Sequence, residues 1–246
     1  MNKILTVNIL ALVLFTSINP AYAENASNPL AAVNNTDMRL QYFDLQGSAD
    51  RYDFWAADGA VMLTPKLKLK YEVHYWDTDV TGSREGGLES VHVKPIYFPE
   101  KMVGMLGEWK YKLAVGGELI IDGGNEDDGI GSGSDQIAPL VGMALARGNT
   151  VVVPLMQHFV DIDGPDVNTT AFRMIVIQSL PNKYWAKLDA IVPVDWEHDN
   201  EIPATIEAQL GKMLSPSFGL YGDALFGVGT DRPFDWGVGL GVRFNY

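Results

Sequence analysis

The last stretch of the chain, Phe234 to Tyr246, constrains the fold most, because its side chains alternate in character without a break. Successive side chains of a β-strand point to opposite faces. One face here is large and apolar, with aromatic residues at both ends, and the other is small or polar. This pattern predicts a strand between lipid and the lumen of a transmembrane barrel. The apolar face carries Phe234, Trp236, Val238, Leu240, Val242, Phe244 and Tyr246, and the other carries Asp235, Gly237, Gly239, Gly241, Arg243 and Asn245.

The first 23 residues predict a cleaved secretory signal peptide. Lys3 supplies a positive start, residues 4–18 are mostly apolar, and Ala21-Tyr22-Ala23 forms a small-x-small cleavage site. No later apolar run approaches the roughly 20 residues that a spanning helix needs. Residues 24–37 are predicted to form a polar periplasmic lead, and residues 38–246 a single barrel domain.

Composition excludes several classes of function. The chain contains no cysteine, which excludes disulfides, thiol catalysis and thiolate metal sites. The formal net charge of −13 argues against a nucleic-acid partner, since phosphate binding requires a basic face. Hydrophobic residues make up 47% of the chain. That share fits a soluble protein and a barrel equally, because half of each barrel strand faces water.

Alternation and turn residues predict an all-β fold, a transmembrane antiparallel β-barrel of about 12 strands within a range of 10–14. An even number places both termini on one side of the membrane. Links on that side are mostly short and links on the other side are longer, as in outer-membrane barrels. The apolar link KMVGML, within residues 100–107, has no assignment. The predicted strands cover residues 38–47, 51–63, 66–77, 89–98, 108–121, 135–147, 149–162, 168–180, 184–195, 202–213, 216–228 and 235–246.

Charged side chains alternate with apolar ones in several of these strands. Leu67, Leu69 and Tyr71, for example, alternate with Lys68 and Lys70. Because the apolar face is assigned to lipid, we expect the charged set to line the lumen. Paired charges there either brace the interior or set the selectivity for a permeating solute. The lumen candidates are Lys68, Lys70, Glu72, His74, Lys110, Lys112, Glu118, Lys187, Asp189, Glu207, Asp223, Asp235 and Arg243.

The chain also ends on an aromatic residue of an alternating strand. Trp236, Phe244 and Tyr246 together resemble the C-terminal assembly signal of bacterial outer-membrane barrels. The resemblance implies that the barrel-assembly machinery, outer-membrane lipid and lipopolysaccharide are partners of this chain. It also implies a location in the outer membrane of a Gram-negative bacterium.

Residues 131–196 resemble a bacterial outer-membrane barrel family labelled as transporters or as meta-pathway phenol-degradation proteins, and often as neuromedin U. The shared features are Gly-Ser-Gly before a strand, a Pro-containing apolar run ending in Gln157-His158, the segment GPDVN at 164–168, and the strand end at 193–196. The resemblance implies a passive channel for small molecules, apolar or aromatic ones among them. It brings no catalytic residues and no cofactor.

An enzyme is the rival class, since some outer-membrane barrels hydrolyse lipids with a Ser/His pair. The chain contains no Gly-x-Ser-x-Gly motif. The histidines His74, His92, His158 and His198 lack the i, i+4 spacing of a metal site. A pair of His158 with Ser179 remains conceivable, and the phase of the strand around His158 stays open. We therefore expect neither catalysis nor a resident metal.

Three further alternatives remain. Acidic loops at 125–128 and 161–166 offer carboxylates to a divalent cation, although their spacing is not that of an EF-hand. A closed barrel with a purely structural role has the same strand pattern as a channel. A soluble β-sandwich, which buries one face of each strand, also tolerates these patterns.

Overall fold

The computed structural model describes residues 25–246, so the predicted signal peptide lies outside the described residues. No helix within this range is long and apolar enough to cross a membrane. The described residues form thirteen β-strands. These are β1 (Asn35–Asp44), β2 (Asp50–Thr64), β3 (Leu67–Thr78), β4 (Glu85–Tyr97), β5 (Val103–Leu106), β6 (Trp109–Asp122), β7 (Asp135–Arg147), β8 (Thr150–Asp163), β9 (Asn168–Ser179), β10 (Tyr184–Asp195), β11 (Ala204–Met213), β12 (Phe218–Val228) and β13 (Trp236–Asn245).

All strands except β5 form the wall of one closed antiparallel barrel. Each wall strand pairs with its neighbours in chain order, and β4 pairs directly with β6. The first and last strands close the sheet, from Asn35 opposite Asn245 to Asp44 opposite Trp236. Closure leaves no sheet edge with unpaired backbone groups, which is the requirement for a β structure within lipid. The predicted antiparallel barrel of twelve strands is confirmed.

The unassigned KMVGML segment forms a hairpin that continues the wall beyond the barrel. After β4, Phe98 still donates from its backbone to Lys66, a turn follows at Pro99–Met102, and β5 then pairs with the start of β6, from Val103 opposite Lys112 to Leu106 opposite Trp109. Gly107, with φ of 59°, makes the turn. All four residues of β5 are exposed. The extra strand is therefore a lip on one rim of the barrel.

The outer surface of the wall is apolar and the inner surface is polar. Leu240, in the middle of β13, is 75% exposed, whereas Glu118 and Asp189 on inward faces are 4% and 2% exposed. A soluble β-sandwich buries its apolar faces, so that hypothesis is wrong. An apolar exterior around a charged interior is the arrangement of a transmembrane barrel. The protein is an outer-membrane barrel, as the sequence predicts.

The start of β1 and the end of β13 lie at one end of the barrel, with the short turns after β2, β7, β9 and β11. Longer segments connect strands at the opposite end, the longest being residues 123–134. By the loop-length rule for outer-membrane barrels, the terminal end is periplasmic. At this end the hydroxyls of Thr36 and Tyr71 lie 2.6 Å apart, and the hydroxyl of Tyr246 lies 3.3 Å from both. The terminal aromatic residue thus reinforces the seam between β1 and β13.

One expectation for the last strand is wrong. Phe234 does not continue the lipid-facing row, because β13 begins two residues later, at Trp236. The segment before the strand turns inward, and Phe234 is buried against Phe43, with 4.7 Å between ring centroids. Trp236 and Phe244 do face outward, each less than half exposed.

The glycines on the inner face of β13 make room for side chains of neighbouring strands. Gly241 lies opposite Tyr221 of β12, and a Cβ at Gly241 would overlap the ring of Tyr221. Gly239 is close to Gln41 in the same way. The small face of the last strand therefore serves packing inside the wall.

We predict that Gly241→Ala destabilises the barrel by about 1–3 kcal/mol, because overpacking forces the Tyr221 ring to move. The matched control is Gly222→Ala on β12, where the nearest atoms to a new Cβ are at 3.6 Å, an ordinary contact distance. Urea unfolding of the detergent-folded protein, followed by tryptophan fluorescence, measures both. Equal unfolding midpoints for the two variants would contradict the prediction.

Candidate solute pathway through the lumen

A cavity of about 260 Å³ lies within the barrel, and charged residues dominate its lining. Seven basic and six acidic side chains border it. The near balance contrasts with the net charge of −13 for the whole chain, so the excess acid lies elsewhere, much of it in the outer loops. The basic residues are Arg39, Lys68, Lys70, Lys94, Arg173, Lys187 and Arg243, and the acidic ones are Asp37, Asp53, Asp58, Glu72, Asp189 and Glu207.

These charges form short ion pairs across neighbouring strands. Arg173 on β9 donates from Nε and Nη2 to the two carboxylate oxygens of Asp189 on β10, at 2.9 and 2.6 Å. Lys187 contacts Glu207 on β11 at 2.7 Å. Bidentate and charge-assisted contacts of this kind are the strong class of hydrogen bond. They brace this side of the wall from within.

The polar lead, residues 25–34, closes the periplasmic end of the lumen. Leu30 is 2% exposed and packs in an apolar cluster on the inner wall of strands β4 to β9. Burying a leucine side chain contributes roughly 2 kcal/mol. The cluster joins Leu30 to Ile96, Phe98, Ala114, Leu140, Val153, Ile175 and Ile177. The lead is thus a plug, and Leu30 is its apolar anchor.

Hydrogen bonds from the wall hold the backbone and polar side chains of the plug. Lys68 donates from Nζ to the carbonyl oxygens of Pro29 and Ala31, at 3.1 and 2.8 Å. Arg243 donates from Nη1 to Asn25 Oδ1 and Ser27 Oγ, at 3.1 and 3.0 Å. Buried backbone carbonyls need such partners, so Lys68 and Arg243 stabilise the plugged state.

A second cavity, of about 830 Å³, lies on the periplasmic side of the plug and is mostly apolar. Aromatic and aliphatic side chains border it, among them Met62, Leu180, Tyr184 and Trp185. Arg243 borders both cavities, as does Ala26 of the plug. The plug therefore separates a charged chamber from an apolar one.

The opposite end of the lumen is narrowed by a second apolar group. Phe43, Leu225 and Phe234 form a buried cluster there, with Leu45 packed against it. The guanidinium of Arg51 stacks on Phe43 and on Trp76, with its Cζ 4.9 and 4.0 Å from the ring centroids. This constriction lies between the outer end of the lumen and the charged chamber.

Beyond the membrane, ion pairs order the turns at both ends. At the periplasmic end, Lys66 contacts Glu100 at 2.6 Å, and the hydrogen bond raises the pKa of the Lys66 ammonium. At the outer end, the hydrogen bond from His198 Nδ1 to Asp195, at 2.9 Å, raises the pKa of the His198 imidazole. Both cations are exposed, so these contacts order the links without closing the pathway.

Most predicted lumen residues do face inward, and three differ in detail. Lys110 is exposed on the periplasmic rim, where β6 pairs with both β5 and β7. Asp235 lies in the loop before β13, where it accepts from Arg232 Nε at 2.6 Å. Lys112 packs over Phe98, with Nζ 3.7 Å from the ring centroid. Lys110 and Asp235 therefore lie at the two rims and not in the buried part of the lumen. Those on inward faces are Lys68, Lys70, Glu72, His74, Lys112, Glu118, Lys187, Asp189, Glu207, Asp223 and Arg243.

The sequence interpretation missed several lumen residues. Asp37, Arg39 and Gln41 of β1 alternate with Met38, Leu40 and Tyr42, so the signal was present. Asp37 precedes the predicted start of that strand at residue 38, whereas Arg39 and Gln41 lie within it and were not included. Arg173 is the one charged residue of β9, and a single charge in an apolar strand does not show which face of the strand points inward. The remaining members, Asp53, Asp58, His92 and Lys94, lie on strands whose bulges disturb alternation.

His158 faces lipid, which resolves the phase of β8. Val153 and Gln157 on the same strand point inward, and His158 Nδ1 lies 3.0 Å from the hydroxyl of Thr170. His158 lies opposite Thr170 near the start of β9, whereas Ser179 lies at the end of β9, opposite Trp185. The His158–Ser179 pair therefore does not form.

A different serine and histidine do meet, inside the barrel. Ser90 Oγ lies 2.7 Å from His92 Nε2, and His92 Nδ1 lies 2.7 Å from Glu118 Oε1. This order of contacts matches a nucleophile, a base and an orienting acid. Ser90 is only 1% exposed, however, and it faces away from lipid. The geometry therefore gives this serine no access to a lipid substrate.

No family model and no curated protein matches the chain. Among solved structures, an outer membrane channel from Pseudomonas putida F1 is similar at 9% identity with a TM-score of 0.65, covering 94% of this chain and 100% of that one. The NanC porin is similar at 12% identity with a TM-score of 0.61, covering 86% of this chain and 100% of that one. Escherichia coli outer membrane phospholipase A is similar at 16% identity with a TM-score of 0.54, covering 87% of this chain and 92% of that one. At these identities the likeness shows the fold alone, which channels and an enzyme share.

We predict that Asp189→Asn lowers the free energy of unfolding by about 1–3 kcal/mol, because Arg173 and Lys187 then lose a charged partner inside the barrel. Asp166→Asn, on an exposed outer loop, is the matched control and should change it by less than about 0.5 kcal/mol. Urea unfolding in detergent micelles measures the difference. An equally large loss of unfolding free energy in Asp166→Asn would contradict the prediction, because it would show that net charge, and not ion pairing, determines the stability.

Proposed function

We propose that this protein is a passive outer-membrane channel for small molecules, kept closed at rest by its N-terminal plug. The observation that carries the proposal is the continuous series of a charged chamber, a docked plug and an apolar chamber along one barrel axis. Leu30, Lys68 and Arg243 are among the residues that hold the plug.

The solute that fits best is small and carries an apolar or aromatic group. The larger chamber supports this choice, because aromatic and sulfur-containing side chains such as Trp185, Met62 and Met213 border it. Pockets for small organic ligands are mostly apolar, with few polar groups that set orientation. The family that the sequence resembles includes such solutes among its expected substrates, and that membership stays a prediction.

Two alternatives make different demands. A closed structural barrel needs no apolar chamber behind its plug, and a lipid hydrolase needs a nucleophile that reaches the membrane. The His158–Thr170 contact is the lipid-facing feature nearest to the second requirement. Thr170 also accepts from the indole of Trp196 at 3.0 Å. This arrangement supports an interfacial anchor better than a catalytic pair.

Single-channel recording in planar bilayers tests the gate. We predict that Leu30→Asp raises the open probability or the conductance severalfold, because a buried carboxylate expels the lead from its apolar cluster. Thr81→Asp adds the same charge to an exposed outer loop, away from the plug, and should leave the recording near that of the wild type. Deletion of residues 25–33 should open the channel fully. Silence from the folded deletion variant would favour the structural alternative.

The lumen charges should set ion selectivity once the channel is open. In the background of the lead deletion, Lys187→Gln leaves Glu207 without its 2.7 Å partner, so we predict a shift toward cations. The reversal potential under a salt gradient measures this shift. Lys110→Gln, on the exposed rim, is the control. Equal reversal potentials for both variants would mean that ions do not pass beside Lys187.

A further inference from the structure

A cluster of histidine and glutamate side chains lies inside the barrel where β3, β4 and β6 adjoin. One ligand atom each from Glu72, His92 and Glu118 lies within 4.8 Å of the others. Glu72 Oε2 is 3.8 Å from His92 Nδ1, which is in turn 2.7 Å from Glu118 Oε1. All three residues are buried or half-buried. Of the three, Glu72 also borders the charged chamber.

Hydrogen bonds hold both nitrogens of His92 in place. The Nδ1–H of His92 donates to Glu118 Oε1, at 2.7 Å, since a carboxylate can only accept. Ser90 Oγ, whose hydroxyl also contacts Glu89 Oε2, lies 2.7 Å from Nε2. A metal ion on Nδ1 would replace that proton, because metal binding deprotonates its ligands, and Ser90 Oγ would then accept from Nε2–H.

His74 supplies an independent fourth donor atom. This residue is 7% exposed, and its Nε2 has no hydrogen-bond partner. That nitrogen points toward Glu72 Oε2, at 3.6 Å, while Nδ1 faces Asp53 Oδ1 at 3.7 Å. The ring also stacks on His92, with 5.0 Å between centroids. A buried imidazole nitrogen aimed at this cluster is an unmet ligand position.

The neighbouring cations contact the outer oxygens of the same carboxylates. Lys70 and Lys94 lie 3.3 and 3.6 Å from Glu72 Oε1, and Lys94 lies 2.9 Å from Glu118 Oε2. Gln157 also donates to Glu118 Oε2, at 2.7 Å. Glu72 Oε2 and Glu118 Oε1 thus remain on the histidine side. In metal sites, neighbouring residues typically hold one oxygen of a carboxylate while its other oxygen binds the ion.

Carboxylates outnumber basic side chains around the cluster, which favours a cation over an anion. Five carboxylates and four basic side chains interact with the cluster or with its partners. The carboxylates are Asp53, Asp58, Glu72, Glu89 and Glu118, and the basic side chains are Arg51, Lys70, Lys94 and Arg173.

We propose that His74 Nε2, His92 Nδ1, Glu72 Oε2 and Glu118 Oε1 bind one divalent transition-metal ion of the Zn²⁺ class. Zinc accepts imidazole nitrogen and carboxylate oxygen at about 2.0–2.2 Å, which places the ligand atoms of a tetrahedron roughly 3.3 Å apart. The distances of 2.7, 3.6 and 3.8 Å lie around this value. Glu72 and Lys94 border the central chamber, which gives an ion a route to the site.

Calorimetric titration of the chelator-treated, detergent-folded protein with ZnCl₂ tests the site. We expect one ion per chain, and an affinity at least tenfold lower in His92→Gln and in Glu118→Gln. Lys94→Gln should bind more tightly, because it removes a competing positive charge. His158→Gln, which changes the lipid-facing histidine, should bind like the wild type. Equal affinity in the wild type, His92→Gln and Glu118→Gln, or no uptake by the wild type, would overturn the proposal.

Co²⁺ absorption of the wild type keeps the test decisive where a variant does not fold. A site with two imidazoles and two carboxylates should give the intense visible bands of tetrahedral Co²⁺. Weak bands of six-coordinate Co²⁺ would point to the acidic outer loops and would overturn the proposal. Chelator should also lower the urea midpoint of the zinc-loaded wild type and leave that of His92→Gln unchanged.

Discussion

The ion pair between Arg243 and Asp37 connects the three parts on which this structure depends. Arg243 lies on the last strand and Asp37 on the first, and the guanidinium donates to the carboxylate at 3.0 and 2.6 Å. Lipid offers no partner to a free sheet edge, so the fold exists only when these two strands meet. The remaining nitrogen of Arg243 holds Asn25 and Ser27 of the plug. Closure of the barrel and closure of its lumen thus share one side chain.

The wall could be predicted from sequence because the membrane imposes a period of two on each strand. Leu188 and Asp189 fall on opposite faces as expected, half exposed and 2% exposed respectively. Alternation gives the phase of a strand and says little about where the strand ends. Phe234 and Asp235 continue the alternation of β13 but precede its first ladder pair, so a loop places them. Lys110 likewise has the phase of the lumen but lies at its periplasmic rim.

The plug and the histidine cluster depend on contacts that no local pattern records. Leu30 lies in a lead that the sequence predicts to be polar. Its role as an anchor depends on packing against residues of five wall strands. Glu72, His92 and Glu118 come from three strands: Glu72 lies opposite His92, and Glu118 is two residues from Ile120, the partner of His92 on β6. Motif spacing detects metal ligands that lie on one strand or helix. It does not detect ligands on different strands that meet only when the strands pair in the barrel.

For the channel that we propose, the balance of charge in the lumen bears on which solutes would pass. Although the chain as a whole is strongly acidic, the chamber has nearly equal numbers of both signs, and pairs such as Arg173–Asp189 neutralise each other at contact distance. Paired charges produce a field that falls off quickly, so the chamber attracts neither anions nor cations from afar. It does supply donors and acceptors to any polar group that enters. A small neutral molecule with one polar group can exchange these contacts for water and then leave through the apolar chamber beside Trp185. An ion gains less, because the chamber has little net charge with which to replace its hydration.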